Sequence, residues 1–153
     1  MMKWRMGLGG LLGIFILNIH CACWAASDIS TPIGNWQTID DVTNKPRSIV
    51  QIFEAGGEIK GRITKVFYAP DETGLALCEK CKGERHNQPF IGMVILWGMT
   101  LHGDHWAGGK IIDPHNGKEY NCTLQLIKAG QQLRVRGYIG IPLFGRSQIW
   151  NRL

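Results

Sequence analysis

Short stretches in which apolar and polar residues alternate recur along most of this chain, and turn-forming residues separate them. In residues 119–128, Tyr120, Cys122, Leu124 and Leu126 fall on one face, and Asn121, Thr123 and Gln125 fall on the other. Successive side chains of a strand point to opposite faces, so a period of two predicts half-buried β-strands. No segment shows apolar residues at helical spacing over the roughly 11 residues that a helix signal requires.

Eight such stretches follow one another in the sequence. They cover residues 34–39, 47–54, 58–67, 90–98, 105–113, 119–128, 132–140 and 146–152. Gly56-Gly57 and Asn116-Gly117 are strong hairpin signals, and neighbouring hairpins favour an up-and-down order. Gly61 and Gly108-Gly109 are candidate β-bulges. Since eight antiparallel strands can close on themselves without an exposed edge, we predict an all-β, eight-stranded up-and-down barrel.

The N-terminal segment has the pattern of an export signal. Lys3 and Arg5 precede an apolar run at residues 6–17, and small residues follow near Ala25. This run is shorter than the roughly 20 residues needed to span a bilayer. We therefore expect a signal peptide at residues 1–25, one domain at residues 27–153, and a periplasmic or secreted location. A membrane anchor is the alternative, and a lipoprotein acylated at Cys23 is a weaker one.

The charge of the expected mature chain is modest. Removing Lys3 and Arg5 from 17 basic residues leaves 15 against 12 acidic residues, a net of +3. The basic residues occur as scattered pairs and triplets, whereas nucleic-acid binding favours a dense basic stripe. We therefore expect no nucleic-acid partner.

A polar segment that carries Cys78-x-x-Cys81 interrupts the strands. Five cysteines occur in the chain, and Cys78, Cys81 and Cys122 remain after the expected cleavage. An oxidising compartment favours a structural disulfide between Cys78 and Cys81, while Cys122 fits a small buried hydrophobe. One alternative is a redox-active pair next to Lys80 and Lys82. The others are a disulfide from Cys78 or Cys81 to Cys122, and a zinc site formed by the three cysteines and His86. If the bond joins Cys78 to Cys81, its reduction should loosen the segment only locally.

Tryptophans on the predicted strands are candidates for lining a cavity or closing the barrel. They are Trp36, Trp97, Trp106 and Trp150. Gly34-x-Trp36 on the first strand and Arg152 on the last resemble the barrel-closing signature of lipocalins, in which the arginine packs over the tryptophan. Aromatic side chains both fill barrel cores and line ligand cavities, so the sequence leaves a filled or a hollow barrel open.

Six motifs in order resemble those of the exported bacterial proteins of domain of unknown function family 2147. They are Thr38-Ile-Asp-Asp, Cys78-x-x-Cys-Lys-Gly, Gln88-Pro-Phe-Ile-Gly-Met, Trp106-Ala-Gly-Gly-Lys-Ile-Ile-Asp-Pro, Asn116-Gly-Lys-Glu-Tyr and Arg136-Gly-Tyr-Ile-Gly, and Gly145-Arg-x-Gln-x-Trp follows them. The resemblance spans residues 33–153. It implies a lipocalin-like β-fold and an envelope location, and it implies no activity.

No catalytic constellation accompanies these motifs. The sequence contains no Ser-His-Asp arrangement, phosphate loop or G-x-S-x-G, and Asp40-Asp41 has the pattern of a turn. We therefore expect no catalytic residue, metal or cofactor, and a barrel that binds a small apolar ligand or an envelope partner. The alternatives are a thiol-disulfide redox factor that uses Cys78 and Cys81, and a structural interaction protein with a filled barrel that makes contact through Phe67, Tyr68 and Leu75.

Overall fold

A computed structural model describes residues 29–68 and 76–153 and shows a closed antiparallel barrel. Its strands are β1 (Gly34–Ile39), β2 (Pro46–Ala55), β3 (Glu58–Val66), β4 (Val94–His102), β5 (His105–Asp113), β6 (Lys118–Ile127), β7 (Gln132–Tyr138) and β8 (Arg146–Arg152). Each strand pairs with the next in the chain, and β1 pairs with β8 through Trp36 and Arg152. The predicted eight-stranded up-and-down barrel is confirmed.

The fourth strand begins and ends four residues later than its predicted bounds. Phe90 and Met93 form a turn instead, in which the Met93 N–H donates to the Phe90 carbonyl at 3.1 Å. Gly92 has a φ of 91°, a left-handed conformation that a glycine adopts at little cost. The strand runs on past Gly98 because Gly98, with a φ of 71°, bends the backbone without ending the pairing with β5. The apolar run at residues 90–98 thus serves two structures, a turn and then a strand.

Both predicted bulges lie where the pairing register shifts. One shift lies between Trp106 and Gly109 on β5, and the other lies on either side of Gly61 on β3.

The β7 prediction was wrong at its end, because the strand stops at Tyr138. Ile139, the next residue, is 69% exposed.

The two ends of the barrel differ in how their strands are connected. Short turns at residues 56–57, 103–104 and 128–131 close one end, which we call the floor. The connections at residues 40–45, 114–117 and 139–145, together with residues 76–93 of the connection between β3 and β4, surround the other end, which we call the mouth. The longest connections therefore all gather at the mouth, where sequence variation costs the barrel least.

Large apolar side chains fill the floor half. Trp36, Met99, Leu124 and Leu133 are fully buried and belong to one continuous core.

No helix in the described part of the chain is long and apolar enough to cross a membrane. The expected signal peptide at residues 1–25 lies outside the described residues.

Candidate functional site: a cavity at the barrel mouth

The mouth half of the barrel is hollow. It contains a cavity of about 800 Å³, which falls in the range of roughly 300–1,000 Å³ typical of small-molecule sites. Apolar side chains from several strands line its wall, among them Ile63, Val66, Ile95, Val135 and Trp150. The floor and mouth halves thus share one wall of strands but differ in what fills them.

Polar side chains form a partial ring next to apolar residues of this wall, since Ser48 pairs with Val66 and Gln148 with Val135. The hydroxyls of Thr38 and Ser48, both buried, lie 2.8 Å apart and hydrogen-bond to each other across β1 and β2. On β8, the other neighbour of β1, Gln148 Nε2 donates to Asp41 Oδ2 at 2.7 Å, and Gln148 Oε1 accepts from Trp150 Nε1 at 3.3 Å. Polar groups that are satisfied in this way hold fixed positions, and their remaining hydrogen-bonding capacity gives the cavity a polar region.

Two arginines at the mouth link separate elements of the barrel. Arg146 pairs with Asp41 and thereby ties β8 to the connection between β1 and β2. Arg47 donates from Nε to His115 Nε2 at 3.3 Å, and this contact joins β2 to the β5–β6 turn. Both pairs are exposed to solvent, so their role is to shape the mouth more than to stabilise the fold.

A tryptophan and an arginine seal the floor below the cavity. The Arg152 guanidinium lies over the Trp36 ring, with Cζ 4.3 Å from the ring centroid. Its three nitrogens donate to the carbonyls of Gly130, Ile33 and Thr31 at 2.7, 2.9 and 2.7 Å. Trp36 Nε1 donates to the Pro32 carbonyl at 2.7 Å. The chain before β1 is therefore fastened across the floor by donors on both side chains.

The cysteine segment packs beside the β5–β6 turn. Cys78 and Cys81 form a disulfide, and both are buried. The Cys78 Sγ lies 3.2 Å from the Pro114 carbonyl oxygen. Gly117 approaches so closely that a Cβ at this position would overlap the backbone of Lys80. Phe90, which also lines the cavity, meets the His115 ring edge-on with 5.0 Å between centroids. Residues 78–90 are thus a fixed part of the mouth.

Residues 34–152 match the family described as an uncharacterized protein conserved in bacteria, DUF2147. The chain belongs to this family. Among solved structures, protein HP1028 from the human pathogen Helicobacter pylori, which belongs to the lipocalin family, aligns with a TM-score of 0.66. The two are 22% identical over 79% of this chain and 82% of HP1028. At that identity the likeness shows a shared lipocalin-like fold. No curated protein matches the chain.

In this DUF2147 protein the five residues predicted to line a ligand site or close the barrel are divided among different places. Trp150 lines the cavity, whereas Trp36 and Arg152 lie at the floor. Trp106 is buried and pairs with Leu124 towards the floor. Trp97 lies on the outer surface, because it pairs with the exposed Lys110 and lies under Arg85, whose Cζ is 4.3 Å from the ring centroid. One tryptophan of the four therefore contacts the candidate site.

The cysteines do not meet the requirements of the redox or zinc alternatives. A redox-active disulfide exposes a sulfur to an attacking thiolate, and Cys78 and Cys81 are at most 4% exposed. Cys122 is a free, buried thiol. Burial raises the pKa of the Cys122 thiol to about 12, so it stays protonated at neutral pH. Within residues 29–68 and 76–153 no group of three or more histidine, cysteine or carboxylate side chains could hold a metal ion.

Reduction of the disulfide should have a small global effect. Peptide mapping without reductant should show Cys78 linked to Cys81 and Cys122 unmodified, as the structure has them. A ring this short constrains the unfolded chain little, so the loss should be about 2 kcal/mol at most. Differential scanning calorimetry should then show a melting temperature lowered by less than about 10 °C.

The matched control for reduction is the Cys122→Ala protein, in which the bond cannot reshuffle to a third cysteine. The same shift in both proteins is expected. Unfolding of the whole barrel on reduction, or a map that places Cys122 in the bridge, would show that the bond holds distant strands together.

Several residues of the site were not identified from the sequence. Gln148, Ser48 and Thr38 carry the polar ring, yet each reads as an ordinary polar residue of a strand. Asp41 was interpreted only as a turn residue. Its neighbour Asp40 does have that role: it accepts from the Val42 and Thr43 backbone N–H groups at 3.1 and 2.8 Å, and the Thr43 bond lowers the pKa of Asp40. The sequence did contain a usable signal. By the alternation of the strands, Thr38 and Ser48 point into the barrel, where they are polar residues among apolar ones near the ends of two strands.

Proposed function

We propose that this protein is an exported barrel that binds a small, largely apolar ligand in the mouth cavity. The observation that carries the proposal is the hollow upper half of the barrel, about 800 Å³ in volume, over a sealed floor. Interiors of small folded proteins are otherwise packed to crystal density, so space of this size is not a normal feature of a core. An interaction protein with a filled barrel would not require such a cavity.

The lining indicates how a ligand would be oriented. An apolar body would contact Ile63, Val135 and Trp150 on the cavity wall. A hydroxyl, carbonyl or acid group would remain near the ring formed by Thr38, Ser48 and Gln148, where donors and acceptors are available. The lipocalin-like fold shared with HP1028 supports the proposal, because small closed barrels of this type have room for one ligand.

Two further features support export. Residues 1–25 have the pattern of a signal peptide, and a buried disulfide suits an oxidising compartment. Protein purified from the periplasm of its own host is therefore the right sample for ligand identification. Native mass spectrometry should show added mass that organic extraction removes.

A cavity-filling substitution tests binding directly. Val135→Trp places an indole in the cavity, and we expect the affinity for the uncharged probe phenylnaphthylamine to fall by about tenfold or more. Arg134→Trp is the matched control, since Arg134 is the preceding residue of β7 and faces solvent. Fluorescence titration measures the affinity, and thermal melts show whether both variants fold.

The control protein should bind the probe as the unaltered protein does. Equal binding by both variants, or a barrel that binds no apolar probe and yields no extractable ligand, would refute a ligand-binding function.

A further inference from the structure

The connection between β7 and β8, residues 139–145, exposes large apolar side chains at the mouth. We call it the rim loop. Ile139, Ile141, Leu143 and Phe144 are 69%, 55%, 76% and 79% exposed. The loop contains no charged or polar side chain at all, since its remaining residues are two glycines and a proline. Four large apolar side chains within six residues are unusual for a free surface and indicate a contact site.

The rim loop is held in a defined conformation. Residues 142–144 form a short 3₁₀ turn, and the Gly145 N–H donates to the Pro142 carbonyl at 3.0 Å. Arg136 supports the turn from β7, donating from Nε to the Pro142 carbonyl at 2.8 Å and from Nη2 to the Leu143 carbonyl at 3.2 Å. The rim loop therefore exposes its apolar side chains to solvent while many of its backbone polar groups already have hydrogen-bond partners. A segment that enters an apolar medium must meet this condition.

The surroundings of the rim loop carry cations at its base. Arg136 and Arg146 flank it in sequence, and Lys45 is exposed on the neighbouring β1–β2 connection. Val42 on that connection is 91% exposed and adds a fifth apolar side chain. Two carboxylates, Asp40 and Asp41, lie on this side of the mouth. Arg146 compensates the charge of Asp41, and the three cations leave this side with a net positive charge. An apolar tip above a cationic base matches the layers of an anionic membrane surface.

We propose that the rim loop docks the protein on an anionic lipid membrane surface. The apolar side chains would enter the boundary between headgroups and acyl chains, and Lys45 would face lipid phosphates. A second copy of the chain fits less well, because a two-fold contact through the loop would bring the arginines of both copies together. Ile139 and Phe144 also line the cavity, so docking would open the mouth towards the lipid.

Vesicle flotation tests the docking proposal with matched leucines. Leu143→Ser removes an apolar side chain from the rim loop, and Leu101→Ser removes one that is 62% exposed at the floor. With vesicles of phosphatidylethanolamine and phosphatidylglycerol, Leu143→Ser combined with Phe144→Ser should lower the partition coefficient by about tenfold or more. Leu101→Ser should leave it unchanged. High salt should weaken binding only partly, because the apolar contribution is not screened.

Three results would overturn the proposal. They are no vesicle binding by the unaltered protein, equal loss in the rim-loop and Leu101 variants, and a dimer in analytical ultracentrifugation that the rim-loop substitutions dissociate without any effect of vesicles. Docking does not depend on an occupied cavity, so the Val135→Trp protein should bind vesicles normally even where it no longer binds the probe. Failure of one proposal is thereby separated from failure of the other.

Discussion

Replacing Trp36 with alanine should lower the free energy of unfolding by about 3–5 kcal/mol. The Trp36 side chain is fully buried at the floor, where the Arg152 guanidinium covers its ring and its indole N–H donates to the Pro32 carbonyl. Truncation leaves a cavity under the arginine and removes the donor that fastens the chain before β1. Urea unfolding followed by circular dichroism measures the change.

A second tryptophan provides the matched control. Trp97 also lies on a strand and also contacts an arginine, Arg85, at 4.3 Å. It is only half-buried and lies on the outer surface, so Trp97→Ala should cost about 1 kcal/mol or little more. Similar losses for the two substitutions would mean that the floor contact does not close the barrel.

Replacing Gly109 with alanine should cost about 3 kcal/mol, the second large effect we expect. An added Cβ at Gly109 would overlap the Trp97 carbonyl oxygen and the Met99 sulfur, and it would also crowd the Gly98 backbone. Neither β4 nor β5 can move away without breaking the pairing between them. The same unfolding titration should show a lower midpoint with an unchanged slope.

Gly57 is the control for Gly109. It has a φ of 77° in the β2–β3 turn, and an added Cβ there meets nothing within 4 Å. Gly57→Ala therefore introduces backbone strain alone, worth about 1 kcal/mol. If Gly109→Ala costs no more than Gly57→Ala, the close approach of the two strands at the bulge is not what the fold requires.

The floor half of the barrel provides most of its stability, and the mouth half contains the candidate functional sites. The floor half, with Trp36 and Leu133 in its core, accounts for the large expected losses of stability. The mouth half contains the cavity, the disulfide segment and the rim loop, which substitutions should change with less effect on folding. Placing a ligand site on a rigid support of this kind is the common division between scaffold and connections.

Local chemistry was enough to predict the strands and their order. Alternation of apolar and polar side chains acts within one strand, and Gly56-Gly57 or Asn116-Gly117 reverses the chain without help from elsewhere. The expectation of export and the close spacing of Cys78 and Cys81 were enough to predict their bond. The shift of β4 was not predictable in this way, since Phe90 and Met93 are as apolar as strand residues and are buried for a different reason, as anchors of the cysteine segment.

By itself, the sequence determined that this chain forms a closed barrel of eight strands, because period and turn type are properties of neighbouring residues. Only the tertiary structure decided that the barrel is filled at the floor and hollow at the mouth. The empty volume is what remains after side chains from many strands have been packed at one level, so no single stretch contains it. For the same reason Trp150 borders the cavity while Trp97, of equal size and also on a strand, lies outside the barrel.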